Sequence, residues 1–586
     1  MAKLTRKKYR FYPAPLKGIN AGLPSKLIDK TNAVSIQNMY LEKGELRTRF
    51  GVSALTTTTI NPATSAYMQH GWLSAGNKFS GALQTMSGGI AACYIRHNRD
   101  EAQTYIQVAT HSIGIIRYYP ITPPSYSAMM MCRYSGVTVG AVAYSIGLID
   151  NGFPFSAGEN YITYDYDYCW VNSGYPYPKL VMCWNAFYPR NETAKGHILL
   201  QNSPGGTIYP LTLCAADYYP AVGVPRSLGI CQFHGHIFIW CTQDSATGDP
   251  SLRRLRWSNV SGVTGGNWPA ANYNDLLETP GTILAVKTLN SDSMIVYKTD
   301  SIIVVSYIGD AFDFRFTTTI VNEALLAPKM VCQAIGLHYF VGTNGIYSYN
   351  GGSELEDIGG PIWDEFIDDI NKDDVDTRLA GTSVTMRLKV YQKSFMFFSK
   401  EMGFIMIVVP SGTDKVCRKV WVYDISNRAW MTWFFEDGIA GICQDERGWR
   451  GDNQYMTAFM NTKGKLMAWS FSRYDDSGVA VVQQFITKTI VPEENGTGYF
   501  SSWDQLCFDA TASSTTVAVT VQYRLDDATA WTTLKQLTLT GGTSRTRYQL
   551  NMNFSARSIQ FRFYNGNLNE KFSISQYELR ELEIQQ

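Results

Sequence analysis

Between Ile283 and Gly352 the hydrophobic positions fall in short runs separated by polar breaks: ILAVKTLNSDSMIVYKTDSIIVVSYIGDAFDFRF, then GLHYFVGTNGIYSYNGG. β-Branched and aromatic residues fill the runs, and Asn, Asp or Gly marks the breaks. That rhythm predicts antiparallel hairpins in series. Helices need an apolar period near 3.6 residues, and parallel strands need long crossovers. The pattern returns at GICQFHGHIFIWC (229–241), FMFFSKEMGFIMIVV (395–409) and VWVYDISNRAWMTWF (420–434). Hairpin units repeated along a chain mark a radial array of small sheets, as in a β-propeller.

Both chain ends depart from this rhythm. Residues 1–50 open with a basic lead carrying Pro13 and Pro15. The stretch KTNAVSIQNMYL places Ala33, Ile36, Met39 and Tyr40 near one face of a short helix. LEKGELRTRFG reads as a strand, a turn at Gly44 and a second strand. Residues 483–586 carry at least five short alternating runs, with turns at Asp526-Asp527 and Gly541-Gly542. They predict a separate β-sandwich of about 100 residues, with the boundary near SRYDDSGVAVVQQ. The expected fold is all-β: an N-terminal extended docking segment (1–50), a large β-propeller-like body (51–482) and a C-terminal β-sandwich (483–586). Residues 100–225 are rich in Tyr, Pro and Gly and read as insertions at the propeller rim. One amphipathic helix is expected at PIWDEFIDDINKDDV, where Pro361 suits the first turn and Ile362, Phe366 and Ile370 recur every fourth residue.

Charge changes the picture only locally. Of 586 residues 17% are charged, and the net charge is +1. Overall electrostatics therefore offer no case for tight nucleic-acid binding. The basic lead concentrates Lys3, Arg6, Lys7, Lys8 and Arg10 without an acid. Asp364, Glu365, Asp368, Asp369, Asp373, Asp374 and Asp376 form an acidic counterpart. These are solvated surface or contacts between subunits, and Asp368 and Asp369 are the acids best placed for the second role. The eleven cysteines include no CxxC pair, and their odd count suits thiols in a reducing cytoplasm. No secretory leader or membrane-spanning run is read in the sequence.

Motifs for chemistry are sparse. His234 and His236 flank Gly235, either as neighbours on a strand face or as the shoulders of a hairpin turn. Asp165 and Asp167, two apart in TYDYDYC, place two carboxylates on one strand face. Paired carboxylates are the minimum for glycoside hydrolysis, although such acids converge from different blades in a propeller. Trp257 and Trp268 bracket a Gly-rich loop and read as blade packing. No nucleophile elbow, zinc signature or phosphate loop occurs in a suitable context. The sequence calls for no metal, no cofactor and no catalytic set.

The opening segment GINAGLPSKLIDKTNAVSIQNMYLEKGELRTRFG, with Gly18, Asn20, Asn38, Gly44, Leu46, Arg47, Arg49 and Gly51, resembles the start of the tail hub or nozzle proteins of short-tailed phages (tail tubular protein B, or phage stabilisation proteins). FHGHIFIW, LRWSNV, NWPAANYNDL and YFVGTNGIYSYNGGSELEDIGGPI follow in the order seen in that group, and RYQLNMNFSARSIQFRFYNG resembles its terminal β-sandwich. Residues 100–225 match it least. The resemblance implies a non-enzymatic virion protein made in the host cytoplasm. It implies a homo-hexameric ring below the portal and adaptor, which contacts tail fibres or spikes and extends and closes the channel for passing viral DNA. Two other readings stand beside it. One is a different tail-tip or fibre-docking component. The other is a carbohydrate-binding or carbohydrate-hydrolysing propeller using the Tyr-rich loops and the Asp165/Asp167 pair.

Overall fold

The computed structural model describes residues 5–54, 229–242, 251–260, 271–309, 314–378, 385–444, 457–461, 466–492, 500–512 and 516–584, single positions between them, and the strand backbones within 90–210. Its strands group into seven four-stranded antiparallel meanders among the described residues. Blade one runs from Ile90 to Cys132, blade two from Ile162 to Pro210, blade three from Gly229 to Asn274 and blade four from Ile283 to Val321. Blade five runs from Val331 to Asp357, and blade six from Phe395 to Phe434. Blade seven takes Ile439–Gln444, Thr457–Asn461 and Leu466–Ser470 from late in the chain, and its fourth strand, Gly51–Ala54, from the beginning. First strands of successive blades touch from Ile439–Gln444 through blades one to six, and Cys417–Asp424 of blade six returns to Ile439–Gln444. The array is a propeller whose ring is closed by a strand from the other end of the chain.

Each blade buries an alternating face against its neighbour. His236–Thr242 and Phe404–Pro410 are buried throughout, and Ser301–Tyr307 over its first five residues, so these middle strands read as continuous apolar runs. His338 in blade five ties itself to blade four. Its Nε2 donates to Thr288 O at 3.0 Å, which leaves Nδ1 to accept from Tyr297 Oη at 2.9 Å. Lys298, also fully buried, donates to Leu276 O, Thr279 O and Thr279 Oγ1 at 2.6–3.0 Å and pins the chain between blades three and four.

The C-terminal unit is a two-sheet sandwich, and the start of the chain belongs to it. Blade six continues through Ala33–Gln37 into Gln483–Thr487, Ile559–Asn565, Val517–Leu525 and Thr532–Leu539, giving one nine-stranded sheet. Against its C-terminal half packs a sheet of Met39–Glu42, Glu45–Thr48, Phe572–Ile584, Ser501–Ala512 and Gly542–Ala556, with Thr5–Pro13 added beside Phe572–Ile584. Phe508 meets Phe563 across the gap, ring centres 5.1 Å apart, and Tyr12 stacks on Tyr577 at 4.9 Å. A single buried cluster joins this sandwich core to blades four to seven.

Three expectations change. The segment 1–50 is not separate from the sandwich: Thr5–Pro13 pairs residue by residue with Gln576–Ile584, so the boundary at residue 50 divides a folded unit. The helix expected at 33–40 is two strands, Ala33–Gln37 and Met39–Glu42. The acidic helix covers only Trp363–Asp369. Ile370 turns extended and bridges Ser411, and Asp374–Arg378 is a strand.

Candidate functional site

Four of the residues that carry the phage-tail resemblance, Gly18, Asn38, Arg49 and Gly51, meet at the joint between propeller and sandwich. Asn38 sits at φ 54°, between two strands. Its Oδ1 accepts from Arg49 Nε at 3.0 Å and from the Phe434 amide at 2.7 Å, and its Nδ2 donates to Val482 O at 2.6 Å. Arg49 is fully buried. Its Nη1 and Nη2 reach the two carboxylate oxygens of Asp476 at 2.9 and 2.5 Å, and both also donate to backbone carbonyls. The guanidinium lies 4.3 Å from the ring centre of Phe435. Gly18, at φ +70°, lies so close to Trp430 that an added Cβ would stand 2.4 Å from its carbonyl oxygen. Gly51 has the same relation to Asp475, at 2.0 Å. Leu46 is fully buried, and Arg47 joins Glu42 at 2.7 Å and Glu45 at 3.1 Å. The motif holds together the chain start, blade six, blade seven and the sandwich.

Strand alternation divides the basic lead between two faces. Arg10 points into the sandwich, and its Nη2 meets Glu581 Oε2 at 2.6 Å, its Nη1 donates to Val491 O at 2.7 Å, and it lies over Trp503. As an assembly contact Arg10 is therefore corrected to an internal ion pair. Lys8 shares its side of the strand and is half-buried. For Arg6 and Lys7 the strand backbone is described, Lys7 on the alternate side, whereas Lys3 lies outside the described residues. That alternate side carries two aromatics that the charge pattern obscured: Tyr9 is 51% exposed and Phe11 61%. The signal for them was alternation in KKYRFYP.

The acidic helix buries Ile362, Phe366 and Ile370, as its spacing predicts. Asp369 is turned toward the protein, 2.9 Å from Lys419 Nζ, and as a contact it is already engaged. Asp368 is exposed and reaches Lys372 only at 3.7 Å. Asp364, Glu354 and Asp357 are exposed as well, and the helix itself packs on blade six through Phe366 and Trp421.

The other candidates resolve into packing or lie outside the described residues. His234 and Gly235 both take positive φ and form the two-residue turn between Phe233 and His236, so only His236 lies on a strand. His236 Nδ1 meets Ser258 O at 2.6 Å, while His234 stacks on Tyr307. Among the described residues no group of three His, Cys, Asp or Glu side chains converges as for a metal ion, and no helix is long and apolar enough to cross a membrane. The described cysteines, Cys231, Cys241, Cys332, Cys417 and Cys507, are thiols. Asp165 and Asp167 lie on Ile162–Cys169, whose side chains, like Trp268, are outside the described residues. Trp257 of blade three packs edge-on to Phe314 of blade four. A cleft of about 460 Å³ opens beside Arg253, Arg254 and Asp275. Arg254 is bound to Asp275 at 2.5 and 2.7 Å and holds that carboxyl below its ordinary range.

The outer face of the sandwich half of the large sheet carries a mixed row. Arg524 and Arg562 lie 4.8 and 5.1 Å from the Trp531 ring centre, and Arg562 lies 5.7 Å from that of Tyr564. Arg562 Nε donates to Gln522 Oε1 at 2.6 Å, and Arg524 Nε to Gln560 Oε1 at 2.5 Å.

No family profile matches the sequence, and no curated protein matches it. Among solved structures the chain is similar to YCF48 from Cyanidioschyzon merolae, at 7% identity over 68% of this chain and 98% of that one, with a TM-score of 0.32. An exo-β-1,3-galactanase from Phanerochaete chrysosporium shares 8% identity over 86% of this chain and 100% of its own, with a TM-score of 0.27. A family 29 carbohydrate-binding module shares 9% identity over 21% and 70%, with a TM-score of 0.13. With every TM-score below 0.5, none of these likenesses carries an argument about this chain.

Proposed function

We propose that this chain is a structural subunit of a short phage tail, a hub or nozzle protein that assembles with copies of itself into a ring. The observation that carries the reading is the joint: Gly18, Asn38, Arg49 and Gly51, read in sequence as part of a tail-protein opening, all contact residues of blade six or the end of blade seven there. The surfaces on offer are unlike each other. An edge strand with Tyr9 and Phe11 exposed lies on the sandwich, and an acidic helix packs on blade six. Copies meeting through unlike patches make heterologous contacts, and a heterologous contact that closes gives a ring. A near-neutral chain also suits a channel wall that DNA must pass without sticking. In this reading the ring sits between the portal-adaptor assembly and the fibres or spikes. The test is native mass spectrometry and negative-stain microscopy of the full chain, with the protein labelled in whole particles. Six-fold rings, and label at the tail, are expected; a monomer absent from particles contradicts the reading.

A second reading rests on the Trp531 row. Aromatic rings set among guanidinium and amide groups match sugars, which offer an apolar ring face and hydroxyl edges. In that reading the sandwich binds carbohydrate. A glycan screen of the intact chain and of Trp531→Ala tests it: binding lost on substitution supports it, and no binding by the intact chain removes it.

A further inference from the structure

Among the described residues the smaller sandwich sheet ends in Gly542–Ala556 on one side; on the other, Thr5–Pro13 lines residues 576–584 and the Met39–Glu42/Glu45–Thr48 hairpin lines Ser573 and Ile574. Thr5–Pro13, Phe572–Ile584, Ser501–Ala512 and Gly542–Ala556 lie side by side, and every neighbouring pair is antiparallel. The first and last of the four therefore run in opposite directions. Among the described residues Thr5–Pro13 pairs only with Phe572–Ile584, and Gly542–Ala556 only with Ser501–Ala512. Open strand edges on a sheet are an aggregation hazard unless something covers them.

The backbone says which groups wait at the Thr5–Pro13 edge. The Ala14 amide donates to Ser575 O at 2.9 Å, in register with the Tyr12–Tyr577 pair. In an antiparallel ladder alternate residues bond the same neighbour, so Tyr12, Arg10 and Lys8 turn their peptide groups toward Phe572–Ile584. Pro13, Phe11, Tyr9 and Lys7 turn theirs to the open side. Pro13 has no N–H to leave unmet there, as suits an edge strand. The same residues carry the exposed aromatics Tyr9 and Phe11.

We propose that the Thr5–Pro13 edge of one copy adds to the Gly542–Ala556 edge of the next, so that the sheets of neighbouring subunits run into one another around the ring. The proposal rests on the ring reading above and names its contact. With these four strands alternating in direction, a neighbour related by rotation presents Thr5–Pro13 antiparallel to Gly542–Ala556, on the side of the sheet where the Met39–Glu42/Glu45–Thr48 hairpin covers only Ser573 and Ile574. No strand need be reversed. Tyr9 and Phe11 of the incoming strand then lie beside Arg547, Gln549 and Asn551, which are exposed on the same sheet face. Main-chain bonds supply the affinity and the aromatics supply the fit, as in strand addition generally.

Phe11→Pro tests this, because it deletes an edge-facing N–H while leaving the ladder to Phe572–Ile584 intact. The full-length variant should keep the wild-type circular dichroism and urea midpoint but fail to form rings at concentrations where the wild type assembles. Phe11→Ala, which keeps the N–H, should weaken assembly less. Hydrogen exchange on the unaltered chain gives a second readout: the amides of Tyr9 and Phe11 should exchange at least about tenfold more slowly in the ring than in the monomer. Rings from Phe11→Pro at wild-type concentration, or rings in which these amides stay unprotected, overturn the edge contact and leave the ring reading standing. So does Phe11→Pro that forms rings but no longer joins other tail proteins, since the occupant of the edge is then a different chain. A wild-type chain that forms no ring, alone or in particles, overturns both.

Discussion

Arg49 and Asp476 stand 427 positions apart in sequence and face each other through two charge-assisted hydrogen bonds, of 2.9 and 2.5 Å, in a site where the guanidinium has no solvent contact. The pair closes the joint that brings the start of the chain to the end of blade seven. Removing one partner strands a buried charge, so Arg49→Met is expected to cost about 3–5 kcal/mol, well beyond the loss of a surface ion pair. Pairing it with Asp476→Leu should recover a large part of that. Urea unfolding of the two single variants and the double variant gives the coupling; additive losses would show that the two residues do not act together.

Gly18 and Gly44 separate two reasons for glycine at positive φ. At Gly18 an added Cβ runs into the Trp430 backbone, whereas at Gly44 nothing lies within 4 Å. Gly18→Ala is therefore expected to destabilise by more than about 2 kcal/mol, combining strain with a displaced strand. Gly44→Asn should stay within about 1 kcal/mol, because Asn tolerates the left-handed turn. Thermal unfolding of both checks the contrast.

His338 makes stability depend on pH. Burial holds its imidazole down at about 4, against an ordinary 6.5. The unfolded chain takes up a proton near 6.5, while the folded chain resists until about 4. Between those values the unfolded state binds more protons, so the stability present above pH 6.5 is lost as pH falls toward 4. The loss is on the order of 3 kcal/mol. Urea midpoints at pH 7 and pH 5 should differ in the wild type and differ less in His338→Gln, which removes the titrating ring and costs stability at both.

Asp368 and Asp369 should separate despite adjacency. Asp369→Lys sets a cation against Lys419 and should lower the unfolding midpoint, by about 1 kcal/mol or more. Asp368→Lys leaves the fold within about 0.5 kcal/mol. If the acidic surface meets a neighbouring copy, Asp368→Lys also raises the concentration needed for ring formation, which sedimentation measures. Rings unchanged by Asp368→Lys would remove the helix from the interface.

The hairpins of blades three to six were legible because short β-branched and aromatic runs end at turns marked by Gly, Asn or Asp, even where a middle strand is buried on both faces and does not alternate. Residues 33–40 were not, for a local reason. The register shifts between Ala33 and Ser35, and Asn38 breaks the run at positive φ. Each irregularity offsets the alternation by one, so Ala33, Ile36 and Met39 fall three apart and imitate a helix face. The fate of the basic lead was hidden differently. Arg10 reads as solvent-facing charge until Glu581, at the far end of the chain, arrives beside it. Charge shows in a sequence, but its partner, and the strand edge left open next to it, are set by topology. The acids of the helix fared better because Ile362, Phe366 and Ile370 fix which side is buried, and the helix ends early where Ile370 joins Ser411.

The most direct test of the ring account is the mass and symmetry of the full-length protein, by native mass spectrometry and microscopy on the same sample and on labelled virus particles. The account predicts a closed ring of identical copies, six-fold, and label at the short tail. A monodisperse monomer that is absent from particles would contradict it.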